Sequence, residues 1–235
     1  MTLTILGSES SGNCYILKSD TGTLILEAGI RLDAVKKALN FDLSSVAGCL
    51  ISHSHLDHCK YADSYAKTGI NIYASQETID AYKPTYRHRF HALLEGVMAQ
   101  LGSFRIIPFD VPHGGISCYG YLITHPESGK ILFVTDCAYI PGRFIGLSQV
   151  LIEANYEDAI LTSDRAVGKH MSIDTTVAFL KANDLSKVQN IVLLHLSSSN
   201  SNAKAFAKAV IEVAPNASVL VGDKGLEIEL NKYPF

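Results

Sequence analysis

The sequence predicts an α/β protein in which β-sheets pack together and helices cover them from the outside. Short apolar runs separated by turn residues follow one another early in the chain, and later runs alternate with amphipathic helical segments. This order is typical of sheet layers with helices on their outer faces. At 235 residues the chain can bury a large core. Since it has no internal repeat, low-complexity segment or linker, we predict one domain over residues 1–235.

Apolar runs bounded by Gly, Pro, Asn, Asp or Ser predict the strands. In chain order they cover residues 3–6, 14–18, 23–26, 47–51, 70–74, 104–109, 117–124, 131–134, 149–154, 191–194, 219–221 and 226–230. The second and third runs flank a Ser-Asp-Thr-Gly turn and predict a hairpin. Segment 7–13 is rich in Gly and Ser, and we expect it to break the first strand.

Helical spacing of apolar residues predicts the helices. They cover residues 31–40, 61–67, 173–182 and 203–213. Ser172 is the expected N-cap of the third helix, and the fourth is expected to be capped near Ser201 and to end before Pro215. Segment 76–100 begins as a helix that breaks at Pro84, and its remainder shows no clear period.

Composition excludes several classes of protein. The net charge of −3 gives no global attraction to nucleic acid, so an anionic substrate must be held locally. Five cysteines, an odd number without a Cys-x-x-Cys pair, favour a reducing compartment. The first residues lack a signal-peptide pattern, and no apolar run reaches membrane-spanning length. We therefore expect a cytoplasmic protein that makes no membrane contact.

One motif dominates the chain: His-Ser-His-Leu-Asp-His at residues 53–58, directly after an apolar strand. On a helix, metal ligands are expected three or four residues apart. A spacing of two just past a strand instead indicates a loop that points imidazoles and a carboxylate toward two adjacent sites. Zn²⁺ and Mn²⁺ take such nitrogen and oxygen ligands. A polar loop with several histidines by chance is the alternative, and the density of the motif argues against it.

Three more residues of the same kind end apolar strands: His113, Asp136 and His195. Each alone is more typical of a turn or cap. Together with the motif at 53–58 they resemble the metallo-β-lactamase superfamily, from about residue 5 to about residue 200. The resemblance implies a four-layer αββα sandwich, in the α/β (α+β) class, with a two-metal site at one edge.

The resemblance also assigns the metal ligands. The first ion is expected to be held by three histidines, His53, His55 and His113. The second is expected to be held by Asp57, His58 and His195. Asp136 is expected to bridge two divalent ions, Zn or Mn, and Asp57 is also a catalytic candidate. Such a pair roughly 3.5–4 Å apart lowers the pKa of a shared water and stabilises charge on the attacked and leaving oxygens.

One position departs from the family pattern. The family usually has an Asp before a small residue and Gly at the end of the third strand, where it supports the metal loop. Here Glu27 takes that position. A longer carboxylate can still bond the loop, with a geometry that the sequence leaves open.

Two residues point to one branch of the superfamily. The segments around Glu153 and His170 resemble the Glu and His motifs of tRNase Z. That resemblance implies a pair that gives a proton to the leaving ribose oxygen, a role that suits a histidine oriented by a carboxylate. Without the other motifs, His170 is more simply a surface or capping residue.

Two Ser-rich segments, 7–13 and 195–200, resemble the YycJ/WalJ-like proteins, which are assigned as DNA exonucleases. Their hydroxyls and backbone N–H groups are candidates to bind a substrate phosphate. The candidate residues are Ser10, Ser11, Asn13, Ser197, Ser198 and Asn200. Ordinary Ser/Gly turns are the alternative for each segment. A basic stretch at 83–91 is a further candidate, with Tyr82, Tyr86 or Phe90 stacking on bases, against a solvated helix face.

These observations together predict a two-metal phosphodiesterase, and the resemblance implies an exonuclease. In the predicted reaction a metal-held hydroxide attacks DNA or RNA, and His170 with Glu153 protonates the leaving oxygen. Protein partners are left open. The main alternative is a small-molecule hydrolase, a glyoxalase II-like thioesterase or a lactonase. The Glu–His pair argues against it, because a thiolate leaves without much protonation. A metal-binding protein without catalysis is disfavoured because every ligand position is filled.

Overall fold

The computed structural model describes residues 1–157 and 168–233, which form two seven-stranded sheets lying face to face with helices on both outer faces. The first sheet has the spatial order β14 (Glu227–Glu229), β1 (Thr2–Glu9), β2 (Gly12–Ser19), β3 (Gly22–Leu26), β4 (Val46–Leu50), β5 (Ile72–Ala74) and β6 (Phe90–Ala92). The second has the order β13 (Ser218–Val221), β12 (Asn190–Leu194), β11 (Gln149–Glu153), β10 (Gly129–Val134), β9 (Tyr119–His125), β8 (Phe104–Asp110) and β7 (Ala99–Leu101).

Six α-helices lie within the described ranges: α1 (Leu32–Ala38), α2 (Leu56–Cys59), α3 (Ala62–Lys67), α4 (Gln76–Tyr82), α5 (Ile173–Lys181) and α6 (Ala203–Val213). The predicted four-layer sandwich is confirmed. No helix in this part of the chain is both long and apolar enough to cross a membrane. The single domain over residues 1–235 stays a prediction.

Successive side chains of the central strands point to opposite faces of the sheet, and both faces are covered, which explains why these strands are apolar throughout. In β10, Ile131 and Phe133 face the first sheet, while Leu132 and Val134 face the helical layer of α5 and α6. A strand covered on both faces needs apolar residues at every position. The ring of Phe133 packs edge-on against Tyr15 of the opposite sheet, with centroids 5.4 Å apart. This contact is part of the core that packs the two sheets together, next to the edge where the metal-type residues lie.

Three segments differ from the sequence prediction, and one of them is the motif at 53–58, where Asp57 and His58 lie in the short helix α2 rather than in a loop. Residues 7–13 are mostly strand, because β1 continues to Glu9 through a bulge after Ile5 and β2 begins at Gly12. A Cβ on Gly7 would collide with the carbonyl oxygen of Gly12, so glycine lets the two strands approach closely here. In segment 76–100, α4 stops before Pro84 as predicted, but β6 and β7 follow. Each has three residues, and neither was recognised in the sequence.

Both predicted helix caps are confirmed, the second one residue past Ser201. The Ser172 hydroxyl accepts the backbone N–H of Thr175 at 3.2 Å and caps α5 as expected. The N-cap of α6 is Asn202 rather than Ser201, and its side chain accepts the N–H of Ala205 at 3.1 Å. Both caps place an oxygen where the first turn has unpaired N–H groups.

Candidate metal centre

The metal-type side chains lie at one edge of the sandwich, where parallel strands end. β3 and β4 run parallel in the first sheet, and β10, β11 and β12 run parallel in the second. Each of the five strands ends at, or is soon followed by, a carboxylate or an imidazole: Glu27, His53, Asp136, Glu153 and His195. Because the carboxyl ends of parallel strands open onto one edge, residues far apart in sequence converge there.

A first group of ligand-type atoms lies within 4.8 Å of one another and comes from His53, His55, His113 and Asp136. Nδ1 of His55 lies 2.9 Å from Nε2 of His53 and 3.1 Å from Nε2 of His113. The Nδ1–H of His113 donates to the carbonyl oxygen of Lys169 at 2.6 Å. That bond places the ring proton of His113 on Nδ1 and leaves the lone pair of Nε2 directed at the cluster. A metal ligand needs this tautomer.

A second group shares Asp136 with the first and comprises Asp57, His58, Asp136 and His195. Oδ1 of Asp136 lies 3.3 Å from Nε2 of His58 and 3.0 Å from Nδ1 of His195. Its Oδ2 lies 3.9 Å from Nε2 of both His53 and His113. The carboxylate of Asp136 therefore stands between the two groups. All seven predicted ligand residues are brought together, and their roles as ligands stay predictions.

Three residues of this edge have a left-handed backbone although none is glycine. Glu27 has φ 65°, Asp136 has φ 42° and His195 has φ 53°, and each stands just past the end of its strand. Side chains disfavour this conformation, at a cost of roughly 1–3 kcal/mol per residue. The backbone changes direction sharply at these residues. Each side chain therefore does not follow the in-and-out alternation of its strand and points toward the cluster instead.

The two groups differ in the protonation of their histidines. Burial lowers the pKa of His53, His55 and His113, so these imidazoles are neutral and carry the lone pair a metal needs. Burial also opposes charge on His58 and His195, but nearby carboxylates, with Asp136 foremost, outweigh it. They raise the pKa of His58 and raise that of His195 to about 10. The histidines of the second group thus lie closer to carboxylate charge than those of the first.

Glu27 supports the metal loop, which answers the question left by the sequence. It is fully buried, and its two carboxylate oxygens lie 3.3 and 3.2 Å from the backbone N–H of Ser52, which donates to them. Oε1 also lies 3.4 Å from Nδ1 of His58. The Ser52 hydroxyl in turn lies 2.9 Å from Nδ1 of His53. One carboxylate therefore fixes both ends of the stretch that carries His53 and His58.

We expect Glu27→Ala to destabilise the protein by about 1–3 kcal/mol, because it leaves a buried N–H without its acceptor. Glu27→Gln is the matched variant, since it keeps an acceptor oxygen of the same reach and loses only the charge. Urea unfolding of both variants measures the difference. Equal midpoints for Glu27→Ala and the wild type would show that Ser52 is satisfied in another way.

Glu153 and His170 form the pair expected from the sequence. Nδ1 of His170 donates to Oε1 of Glu153 at 2.7 Å, while Oε2 accepts the backbone N–H groups of Cys137 and Met171, both at 3.0 Å. Burial disfavours the charge of Glu153, yet the hydrogen bonds from His170 and His195 outweigh it and lower its pKa. The carboxylate stays ionised and orients an imidazole that is itself partly exposed.

Asn13 lies at the metal centre rather than on the surface where a substrate contact was expected. It is fully buried, and its Nδ2 lies 3.1 Å from Nε2 of His58. Its Oδ1 accepts the Tyr15 hydroxyl at 3.2 Å, and that hydroxyl lies 2.9 Å from Oγ of Ser8. Ser8 Oγ accepts the backbone N–H of His195 at 2.9 Å. The first hairpin therefore connects the loops that carry His58 and His195.

The other predicted substrate-binding residues lie in two loops. Ser10 and Ser11 form the exposed turn between β1 and β2, and Ser198 is exposed in the loop between β12 and α6. Ser197 and Asn200 shape that second loop, because the N–H of Asn200 donates to Ser197 Oγ at 3.2 Å. Their contact with a substrate stays a prediction.

The basic stretch is engaged with the protein itself. Arg87 donates to the carbonyl oxygen of Phe90 at 3.1 Å, and Arg89 donates to that of Gly69 at 3.2 Å. Phe90 is buried, and its ring stacks on Tyr82 with centroids 5.7 Å apart. Phe90 is thus not presented as a platform for bases. These contacts favour the alternative interpretation, a structural surface segment.

The cluster fits a divalent cation. Three of its buried atoms, Nδ1 of His58, Oδ1 of Asp136 and Nε2 of His195, make no well-aligned hydrogen bond within the described residues, although Oδ1 of Asp136 lies 3.0 Å from Nδ1 of His195. Buried polar atoms are rarely left unpaired, so such atoms in a cluster of imidazoles and carboxylates indicate a ligand that accepts their lone pairs. Borderline cations such as Zn²⁺ and Mn²⁺ match this mixed nitrogen and oxygen set.

Sequence reasoning missed the residues that support the ligands from behind. Asn155 donates to the carbonyl oxygen of His195 at 2.7 Å, and Ser8 and Tyr15 complete the hairpin network described above. Asn155 stands two residues after Glu153, and this short distance in sequence could have marked it as a candidate supporting residue. Tyr15 reads as an ordinary strand residue, because only the register of β1 and β2 brings its hydroxyl to Ser8.

Similarity to known proteins covers most of the chain. The family model described as "Beta-lactamase superfamily domain" matches residues 27–196. A curated protein of Bacillus anthracis, named exodeoxyribonuclease YycJ, is 24% identical over 244 residues, an alignment that covers 93% of this chain and 91% of that protein.

Two solved structures share the fold. The metallo-β-lactamase fold protein YhfI from Bacillus subtilis has a TM-score of 0.76 at 19% identity, covering 97% of this chain and 98% of that one. The short form of human tRNase Z has a TM-score of 0.70 at 16% identity, covering 98% of this chain and 99% of that one.

Proposed function

The chain belongs to the β-lactamase superfamily and is a metal-dependent hydrolase, and from this premise we propose that it hydrolyses phosphodiester bonds of DNA or RNA at a centre of two divalent ions. His53, His55 and His113 would hold one ion, Asp57, His58 and His195 would hold the other, and Asp136 would be shared by both. Zn and Mn both suit these ligands. We also propose that the protein works in the cytoplasm.

The observation that carries this proposal is the pair of Glu153 and His170 beside the metal cluster. Nδ1 of His170 lies 3.7 Å from Oδ2 of Asp136 and is bonded to Glu153, so its Nε2 remains for a substrate. Breaking a phosphodiester expels an alkoxide, which needs a proton as it leaves. A thioesterase expels a thiolate and needs no such donor. The name of the Bacillus anthracis relative adds support for DNA as a substrate.

When bound, the ions lower the pKa of a shared water and stabilise negative charge on the phosphoryl group. The chain's own residues do the remaining work. Glu27 and Asn13 hold the ligand loop in place, and Glu153 orients His170 and keeps it protonated. His170 then donates its Nε2 proton to the departing oxygen, and the Glu153 carboxylate stabilises the imidazolium until that transfer occurs.

The test is hydrolysis by the purified protein, loaded with Zn²⁺ or Mn²⁺, of end-labelled single-stranded and double-stranded DNA and RNA. A variant with His53 and His55 both changed to Ala, purified in the same way, controls for contaminating nucleases. We expect cleavage by the wild type alone. If a thioester or a lactone is hydrolysed and every nucleic acid stays intact, the small-molecule alternative is correct.

A further inference from the structure

Lys169 lies at the rim of the metal centre and takes no part in the proposed proton transfer. Lys169 precedes His170 and is exposed. Its backbone is fixed, because its carbonyl oxygen accepts the Nδ1–H of His113 at 2.6 Å. The neighbouring Gly168 carbonyl oxygen accepts the N–H of Gly114 at 3.0 Å. Two bonds therefore hold the segment of Lys169 against the loop of His113.

The side chain of Lys169 passes close to Gly114. Its stem lies across Gly114, where an added Cβ would come within 2.8 Å of Lys169 Cε and 3.0 Å of Cγ. Gly114 also has φ +58°, a conformation that other residues rarely adopt. A lysine stem packed on a neighbouring surface presents its ammonium to solvent in a restricted direction. The absence of a side chain at Gly114 therefore sets where the charge of Lys169 lies.

Lys169 stands beside the histidine cluster. Its carbonyl oxygen accepts the Nδ1–H of His113, and its stem lies next to Gly114, the residue that follows His113. Its positive charge is therefore placed on the side of the centre formed by His113. On the other side stands His170, so the lysine lies between a metal ligand and the proton donor.

We propose that the ammonium of Lys169 binds a phosphate oxygen of the nucleic-acid strand at the mouth of the metal centre. This inference rests on the proposed function. An acidic chain with a net charge of −3 must hold a polyanion locally, and the carboxylates of Asp57 and Glu153 near the centre repel one. A lysine acts on phosphate as a point charge that adapts to several positions along the strand.

Binding is measured by fluorescence anisotropy with a phosphorothioate-linked oligonucleotide, which keeps the backbone charge and resists hydrolysis. We expect Lys169→Ala to weaken binding about tenfold, the value of one charged hydrogen bond. The slope of log affinity against log salt should fall by about 0.7–0.9. Lys169→Arg should keep the wild-type slope, because it keeps the charge.

Lys187→Ala is the matched control. Lys187 is also an exposed loop lysine, but it lies before the start of β12, whereas His195 follows the end of that strand. We expect no change in slope for this variant. Wild-type affinity and slope in Lys169→Ala, or an equal loss in Lys187→Ala, would overturn the assignment.

Cleavage of unmodified strands by the same preparations separates this inference from the proposed function. A wild type that binds the oligonucleotide through Lys169 but cleaves neither DNA nor RNA contradicts the nuclease and leaves the phosphate contact standing. A wild type that cleaves, with Lys169→Ala unchanged in KM and salt dependence, contradicts the contact and leaves the nuclease standing.

Discussion

Asp136→Ala is expected to lose at least one metal ion and to lower hydrolysis by more than about 10³-fold, since the ions supply several kcal/mol of charge stabilisation. Its carboxylate is the one group shared by both sets of ligand atoms, with Oδ1 toward His58 and His195 and Oδ2 toward His53 and His113. Removing it therefore takes a ligand from each ion. Elemental analysis after dialysis gives the metal content, and hydrolysis of labelled DNA gives the activity.

Asp110→Ala is the control for this variant, because Asp110 is an exposed carboxylate at the end of β8, three residues before His113. Asp136→Asn keeps the size of the side chain, and circular dichroism shows whether each variant folds. If Asp136→Ala retains two ions and full activity, the bridging assignment is wrong.

His170→Ala is expected to keep both ions and to lower the rate on an ordinary phosphodiester by roughly 10²–10⁴, the usual contribution of a positioned proton donor. The loss should shrink on bis(p-nitrophenyl) phosphate, because nitrophenolate leaves readily without a proton. Glu153→Gln should give the same pattern more weakly, since Glu153 orients the imidazole without touching the substrate. Equal losses on the two substrates would mean that His170 positions substrate instead.

The pH dependence of kcat tests the same pair. Burial disfavours the imidazolium of His170, but the hydrogen bond and charge of Glu153 outweigh burial and raise its pKa. Since the acid works when protonated, kcat should hold as pH rises past the ordinary value of about 6.5 and fall only above the raised pKa. Glu153→Gln should move that fall to lower pH. If kcat falls at the same pH in Glu153→Gln as in the wild type, the fall is due to the titration of another group.

Much of this centre is predictable from the chain, because its residues follow strands whose apolar runs are easy to recognise. The resemblance to the metallo-β-lactamase superfamily and to YycJ/WalJ-like proteins is confirmed, and so is the sandwich. The motif at 53–58, His113, Asp136 and His195 end such runs, and parallel strands carry them to one edge. Glu153 and His170 followed from local motifs, and the structure joins them by a hydrogen bond of 2.7 Å.

The rest of the centre depends on strand pairing and backbone conformation, which the pattern of residue types along the chain does not show. Asn13 was expected to contact substrate, yet strand pairing between β1 and β2 directs it inward to His58. The left-handed backbone of Asp136 and His195 cannot be read from residue types that normally avoid it. Strands β6 and β7 were not predicted, whereas the equally short β5 and β14 were, because those two lie within the longer runs 70–74 and 226–230.

The strand order also bears on synthesis of the protein, since a chain is made from its N-terminus and a domain generally folds as a unit. The histidines at 53, 55 and 113 and Asp136 precede β11, whereas His195 follows β12 and its N–H pairs with Ser8, 187 residues earlier. β1 receives its outer neighbour, β14, later still. We therefore expect neither group of metal-type side chains to be assembled until the C-terminal strands have left the ribosome, and hydrolysis to appear only after His195 and β14 are in place.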